Sequence, residues 1–570
     1  MEKACQRRRC LGVKACPLVY LVIGFSLAPT VVLGSPGPDT VMIVANHQVE
    51  GSVALAERYA AARDIHQRRI CTVGAGSAPE ISLAHLERDV LIPLRACIEG
   101  LGGFDLLEAM VLVRGMPFNV GIPVQGRSMV VSLAALLGVL PARDLNGAPF
   151  IGQEPGFQTM CGGSPCLTAR WLNPYTRGAF EAGWSRDRHD GRWQLLLVTA
   201  LDGYTDQDAF GLVESALVAE RDGPGGAFIL MDGGDPARSA RDFELDGVAM
   251  ELNTLGVEAH RLPFDPDLTD RYIAALVTGA VSLGEIIEGN HYQPGSIIDN
   301  LTSFGAVPAN FMAEGEVQTS VARWVSLGVA GVHGTTAEPL SNSFPHRRFL
   351  IDYVSGYSLA ESYFKNLPYV YWRNLVLGDP IAAPYGVRPV VEWLVDGEIF
   401  PGFFRLRIRT NDPLSRSLSA VKFSVNGVND ADLDLGDGEV CFRKSERTTT
   451  LLATVRIQPE PKTVGWRRVD LPMETEPTAC PPQPDPAMID AMHPQTEDSG
   501  MPDVTRPIGD LGHGDSGLAI ELSEAPPARS GCSMMLRQSS DHTGSLTLWI
   551  MLLWVYWAKK RGRFARHPPA

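Results

Sequence analysis

The sequence predicts a three-layer α/β core with a mainly parallel sheet, followed by a small β-sandwich. Three observations carry this expectation. Continuous apolar runs such as Val41-Met42-Ile43-Val44-Ala45 suit strands buried on both faces. Between Asp39 and Gly386 such runs alternate with segments of helical period, the order of βαβ units. Beyond Arg388 the apolar period falls to two, as in half-buried antiparallel strands.

Taken in order, the first strand run is followed by Asn46 and then by a helical pattern from Ser52 to Arg63. Further strands are expected over Leu107–Val113 and Leu195–Thr199. A helix over Ala209–Glu220 leads into a buried strand at Gly225–Leu230, and further strands are expected at Arg271–Thr278 and Val325–Gly331. In the second region, Phe403 to Arg409 alternates apolar and basic residues. Val421–Val425 does the same and runs into Asn426-Gly427, a strong hairpin signal. With Leu451–Ile457, these strands predict a sandwich of immunoglobulin-like type whose role is spacing or packing.

The chain has 570 residues, 45% of them hydrophobic and 20% charged, enough for two or three cored domains. Its net charge of −15 disfavours a nucleic-acid partner, because phosphate binding needs clustered Lys and Arg. Residues 1–34 read as a secretory signal. Lys3, Arg7, Arg8, Arg9 and Lys14 precede the apolar stretch from Cys16 to Leu33, and cleavage is expected after Gly34. Export implies an oxidising compartment in which disulfides are permitted, and Cys161 and Cys166 bracket a loop that lets them pair.

Residues 35–387 are assigned to the α/β core and 388–471 to the sandwich. Residues 472–530 are rich in Pro, Asp, Glu, Gly and Ser and read as a disordered stalk. Residues 531–570 form a tail in which Leu546–Ala558 is a short apolar helix stopped by Lys559, Lys560, Arg561, Arg563 and Arg566. With Gly531-Cys532 upstream, the tail resembles the C-terminal sorting tails of myxobacterial surface proteins. That resemblance implies processing or lipid attachment at Cys532 and membrane anchoring through the tail.

Polar clusters follow the predicted strands: Asn46-His47, Arg114-Gly115, Asp202-Gly203, Asp232-Gly233-Gly234-Asp235, Thr302-Ser303-Phe304-Gly305 and His333-Gly334-Thr335-Thr336. Gly and Asp ordinarily end strands and begin turns. In α/β sheets, however, ligands bind beyond the carboxyl ends of the strands. Asn46, Arg114, Asp202 and Glu338 are therefore candidate ligand-binding residues. No cofactor is expected from the sequence, except that Asp232 and Asp235 are candidate calcium ligands, since hard cations take oxygen donors.

The segments Asn46…Ser52…Ala56…Tyr59…Arg63, Arg114-Gly115-Met116-Pro117, Leu201-Asp202-Gly203, Gly328–Thr335 with Glu338-Pro339, and Gly378-Asp379-Pro380 resemble an uncharacterised family of exported bacterial proteins. That family's core is related to the gingipain and caspase cysteine peptidases, so the resemblance implies a caspase-like core. It also implies a His-Gly pair after one strand and a Cys after the next. This chain has Thr278-Gly279 and Thr302-Ser303 in those places, and its His333-Gly334 comes one strand late.

The expected function is therefore binding or assembly with cell-envelope or surface components by a non-catalytic core. One alternative is a peptidase-like hydrolase with Ser303 as nucleophile and His333 or His291 as base, oriented by Glu338 or Asp299. Another is a calcium-dependent adhesive module.

Overall fold

The computed structural model describes residues 35–124, 127–141, 157–159, 169–172, 195–312, 316–397, 400–430 and 439–482. The signal segment, the Cys161/Cys166 loop, Cys532 and the apolar tail lie outside the described residues. Among the described residues no helix is long and apolar enough to cross a membrane.

Ten strands form one sheet: β1 (Val41–Asn46), β2 (Ile70–Val73), β3 (Ala109–Val113), β4 (Leu197–Leu201), β5 (Ala227–Gly233), β6 (Ala259–Leu262), β7 (Tyr272–Gly279), β8 (His291–Asn300), β9 (Gly331–Thr335) and β10 (Asn374–Gly378). Their order is β6-β5-β7-β8-β9-β10-β4-β3-β1-β2. The pairing is mostly parallel, and β10 runs antiparallel to β9. β1, β3, β4 and β9 are buried along their whole length, the sign of a sheet covered on both faces.

Helices supply the cover. α1 (Ser52–Ala62) buries Ser52, Leu55, Ala56, Tyr59 and Ala60, a helical stripe. α2 (Ile92–Gly100) packs on β2, and α3 (Leu133–Gly138) on β4 and β10. α4 (Asp206–Asp222) opens on a capping box between Thr205 and Asp208, which satisfies two otherwise unpaired amide donors. α5 (Leu245–Thr254), α6 (Val321–Ser326), α7 (Phe349–Val354) and α8 (Leu359–Asn366) complete the layers. α1 and α6 pack on α4, and α5 and α8 on α7, giving a helical layer on each side of the sheet.

The expected strand over Val325–Gly331 is displaced. Ser320 caps α6 through a hydrogen bond from Ala322 N, and Val321, Ala322, Trp324 and Val325 are buried at helical spacing. The strand starts at Gly331 instead. A Cβ on Gly334 would sit 2.8 Å from the Val321 side chain and 2.9 Å from that of Ala306, so this glycine is required for α6 to pack against β9.

The C-terminal unit contains β11 (Val390–Asp396), β12 (Phe403–Asn411), β13 (Lys422–Val425), β14 (Val428–Asp430), β15 (Glu439–Arg456) and β16 (Val464–Thr478). The sandwich is one antiparallel sheet folded over on itself. One end of β15 pairs with β12, the other with β13, and its register shifts between Lys444 and Thr448. Trp393 of β11 and Phe423 of β13 thereby meet with ring centroids 5.8 Å apart. Around them Leu406, Phe442, Leu451, Ala453 and Val455 make a separate small core. The last strand continues to Thr478, and Cys480 pairs with Cys441, so the folded unit reaches into the stretch expected as stalk. A second disulfide, Cys71–Cys97, ties β2 to α2.

A buried and a partly buried ion pair join this unit to the α/β core. Arg456 bonds Asp39 at 3.1 Å, and Arg388 bonds Glu220 at 3.0 Å. Burial works against charge on Asp39, but Arg456, Arg69, Lys422 and the Thr454 hydrogen bond together outweigh it and hold the carboxyl below its ordinary range.

Candidate functional site

The strand-end clusters share one edge of the sheet, and hydrogen bonds between successive loops show it. Arg114 N donates to Leu201 O at 2.8 Å, Ala306 N to Thr335 O at 3.1 Å, and Val321 N to Gly305 O at 3.0 Å. Gly234 N donates to Gly279 O at 2.7 Å, which brings the Asp232–Asp235 turn to the same rim.

Asn46 is fully buried and spends its amide on backbone. Nδ2 donates to Gly76 O (2.6 Å) and Gly115 O (2.8 Å), and Oδ1 accepts from Gln48 N and Ala75 N. It clamps three loops together, leaving no capacity for a ligand. Arg114 bonds Asp206 Oδ1 at 2.8 Å and the carbonyls of Gly203 and Tyr204, and stands 3.7 Å from Asp202. Asp202 is buried with its Oδ1 accepting from Gly203 N at 2.8 Å. Burial dominates there and pushes the carboxyl up to about 7, against the Gly203 amide and Arg114.

The calcium candidates are drawn off by arginines. Asp232 bonds Arg261 at 2.6 Å, and Asp235 bonds Arg238 at 2.8 Å while accepting from Ala237 N. Among the described residues no group of three or more His, Cys, Asp or Glu side chains is arranged to hold a metal ion.

His333 and Ser303 are placed in different environments. His333 lies inside β9, fully buried, rather than on a loop after it. Its Nδ1 is 2.6 Å from Asp299 Oδ1 and its Nε2 is 3.1 Å from Asn374 Oδ1. The Asn374 amide is oriented by donating Nδ2 to Tyr369 O at 3.0 Å. Both ring nitrogens are therefore engaged by oxygens inside the sheet, and neither is presented to Ser303. Asp299 also receives Arg347, whose other nitrogen donates to Thr278 O at 3.2 Å. Burial opposes charge on Asp299, but Arg347 and the His333 hydrogen bond prevail and hold it below the ordinary carboxylate range. Phe344 meets the imidazole edge-on, and Tyr363 stacks near it.

Ser303 sits at the surface and donates from Oγ to Glu338 Oε1 at 2.9 Å. Its carbonyl accepts from Thr335 Oγ1 at 2.8 Å, which fixes the loop. The structure thus joins Ser303 to Glu338 and not to His333. His291, the other proposed base, opens β8, ten residues and one full strand before the Ser303 loop, and stacks on Tyr272. Asp299 is an orienter, as expected, but of a histidine that is itself sealed. Arg347 and Asn374, which complete that arrangement, carry no sequence signal, because only the tertiary fold brings their segments to β8 and β9.

The sequence matches no protein-family model, and no curated protein is significantly similar to it. Chains of known structure do match. One, described as "Structure of Protease", aligns with a TM-score of 0.39 at 9% identity, over 76% of this chain and 98% of that one.

Proposed function

We propose that this protein is exported and held at the cell envelope, and that its α/β core works by binding or assembly rather than by catalysis. The observation that carries the reading is the sealed imidazole: His333 presents both nitrogens to acceptors inside the sheet and has no contact with Ser303. A relationship to the caspase and gingipain peptidases fits the same picture. Thr278 and Asn300 are register partners at the ends of adjacent parallel strands. Thr278-Gly279 at the end of β7 and Thr302-Ser303 in the loop after β8 stand where the resemblance implies His-Gly and Cys. Export is supported by two disulfides, Cys71–Cys97 and Cys441–Cys480, since such bonds persist in oxidising compartments. The basic-flanked apolar tail and Cys532 are the proposed anchor.

A second reading rests on Ser303 Oγ being 2.9 Å from the Glu338 carboxylate, within reach of a general base. The two are separated by incubating the purified chain and its Ser303→Ala variant with a peptide library and detecting products by mass spectrometry. No cleavage by either chain is the expected result. Cleavage by the wild type that vanishes in the variant establishes the serine hydrolase instead. Cleavage that persists in the variant overturns the binding reading and removes Ser303 from the chemistry.

A further inference from the structure

Beside the ion pairs, the C-terminal unit meets the α/β core through the tip of its β13–β14 hairpin, Asn426-Gly427, which rests on His66. A Cβ on Gly427 would lie 2.8 Å from both Cβ and Nδ1 of that histidine, so backbone touches imidazole with no side chain between them. Asn426 has φ +48° and Gly427 φ +79°, the left-handed pair that a two-residue hairpin turn requires. The Asn-Gly sequence thus closes the turn and also permits this close approach.

His66 is itself an acceptor within the core. It precedes a single turn of 3₁₀ helix, Gln67–Arg69, and its Nδ1 accepts from Arg68 N at 3.1 Å. That bond caps the turn and fixes the direction in which Arg69 leaves it. Arg69 is buried, and its guanidinium donates from Nη1 to Val41 O (3.5 Å) and from Nη2 to Asn429 Oδ1 on β14 (3.2 Å). The hairpin is therefore held twice at this corner. His66 lies under its tip and Arg69 beside its second strand, and one capped turn positions both.

A nitrogen that accepts a hydrogen bond cannot also carry a proton. Charging His66 places the new proton on Nδ1, where it meets the Arg68 N–H as donor against donor. The cap is lost, and the new cation stands among arginines. Arg68 and Arg69 face it from its own turn, and Arg468 faces it from β16. The acid on that side, Asp470 of β16, is already bonded to Arg468 at 2.9 Å. The hairpin tip is uncharged. His66 is half-buried, so protons reach it from solvent.

We propose that His66 is an acid-sensitive latch: neutral, it seats the hairpin of the C-terminal unit on the core, and protonated, it uncaps the Gln67–Arg69 turn and lets that corner open. The opening is local. The Arg456–Asp39 pair does not involve His66, and Asp39 stays ionised below its ordinary value of 3.8. The electrostatics of the imidazole point the same way. Burial first, then the Arg468 and Arg68 charges, lower it from its ordinary value of 6.5, against Asp470. A base that holds its proton more weakly when docked contributes fully above its ordinary pKa. That contribution is lost as pH falls below about 6.5.

The test is hydrogen–deuterium exchange of the purified full chain in mild detergent, read by mass spectrometry at about pH 7.5 and about pH 5 and corrected for intrinsic exchange. Amides of Gln67–Ile70 and Lys422–Val428 are expected to exchange about tenfold faster at the lower pH, while those of Thr454–Arg456 do not change. His66→Asn keeps a capping oxygen and cannot titrate, so its hairpin is expected to stay closed at both pH values. His66→Ala removes the cap, and its hairpin is expected to open equally at both. Equal protection of the wild-type hairpin at both pH values, or an acid opening that persists in His66→Asn, overturns the proposal. So does an opening shared by Thr454–Arg456, which would mean that acid loosens the whole unit. If neither variant folds, the wild-type pH profile decides. A single-proton midpoint between about 5 and about 6.5 supports the latch, and one near about 4 belongs to carboxylates and overturns it.

Discussion

Two polar clusters occupy adjoining strands at the same edge of the sheet and have opposite fates. In one, His333, Asp299, Arg347 and Asn374 are closed off from water and satisfy one another. In the other, Ser303 and Glu338 meet at the surface through a single hydrogen bond. The residue types in the first cluster are those of a catalytic relay, yet its position in mid-strand makes it a structural knot. A buried charge must be paired and hydrogen-bonded to be tolerated, and here each member exists to satisfy the next. Chemistry needs the reverse, a group held by its neighbours but with one valence left open to substrate.

The largest effect expected from this contrast is at Arg347. Replacing it with Met removes the charge while keeping an unbranched stem, and leaves Asp299 buried with only His333 to offset it. Stripping one partner from a buried ion pair costs about 3–5 kcal/mol, so Arg347→Met is expected to lower the urea midpoint severely. A loss below about 1 kcal/mol would mean that water reaches Asp299, and the sealed character of the knot would have to be abandoned.

The contrast also separates what was legible in the sequence from what was not. The strands expected at Val41–Ala45 and Leu195–Thr199 overlap β1 and β4, because burial on both faces writes a mainly apolar run. Asn46, Arg114, Asp202 and Ser303 were rightly placed at strand ends, since turn-forming residues mark where strands stop. Their roles were not readable. Asn46 and Ser303 look alike as polar residues after a strand, yet one is consumed by four backbone groups and the other faces solvent. That distinction depends on loops at Gly76 and Gly115 arriving from 30 and 69 residues away. The strand expected over Val325–Gly331 was placed too early: Val325 and Ser326 close α6, which is capped at Ser320, and β9 begins only at Gly331.

A second, smaller effect is expected at Asp202, which lies between the two extremes: buried like the knot, but with its cation, Arg114, 3.7 Å away. Burial raises its carboxyl to about 7 in the folded chain, above the ordinary value of 3.8. A raised acid binds its proton more tightly when folded. Its contribution is thus most favourable at low pH and is lost as pH rises from about 4 to about 7. Asp202→Asn keeps the shape and removes the ionisation, so thermal melts are expected to show a gain of about 2 kcal/mol at pH 8 and almost none at pH 4. An equal change at both pH values would place the effect in the hydrogen bond to Gly203 N rather than in the charge.

The smallest effect is expected at Ser303 itself. Its hydroxyl makes one surface hydrogen bond to a carboxylate that keeps its own contact with solvent, and its place in the loop is held by its carbonyl through Thr335 Oγ1. Ser303→Ala removes the hydroxyl and leaves the carbonyl bond intact, so the melting free energy should move by less than about 0.5 kcal/mol in either direction. This near-silence gives the peptide-cleavage comparison its force. The variant is expected to remain folded, so any activity it loses belongs to the hydroxyl and not to a damaged loop. A loss of more than about 1 kcal/mol would show that the Ser303–Glu338 bond fastens the rim. The surface cluster would then join the buried one as structure, and both polar groups at this edge would be absorbed by the fold.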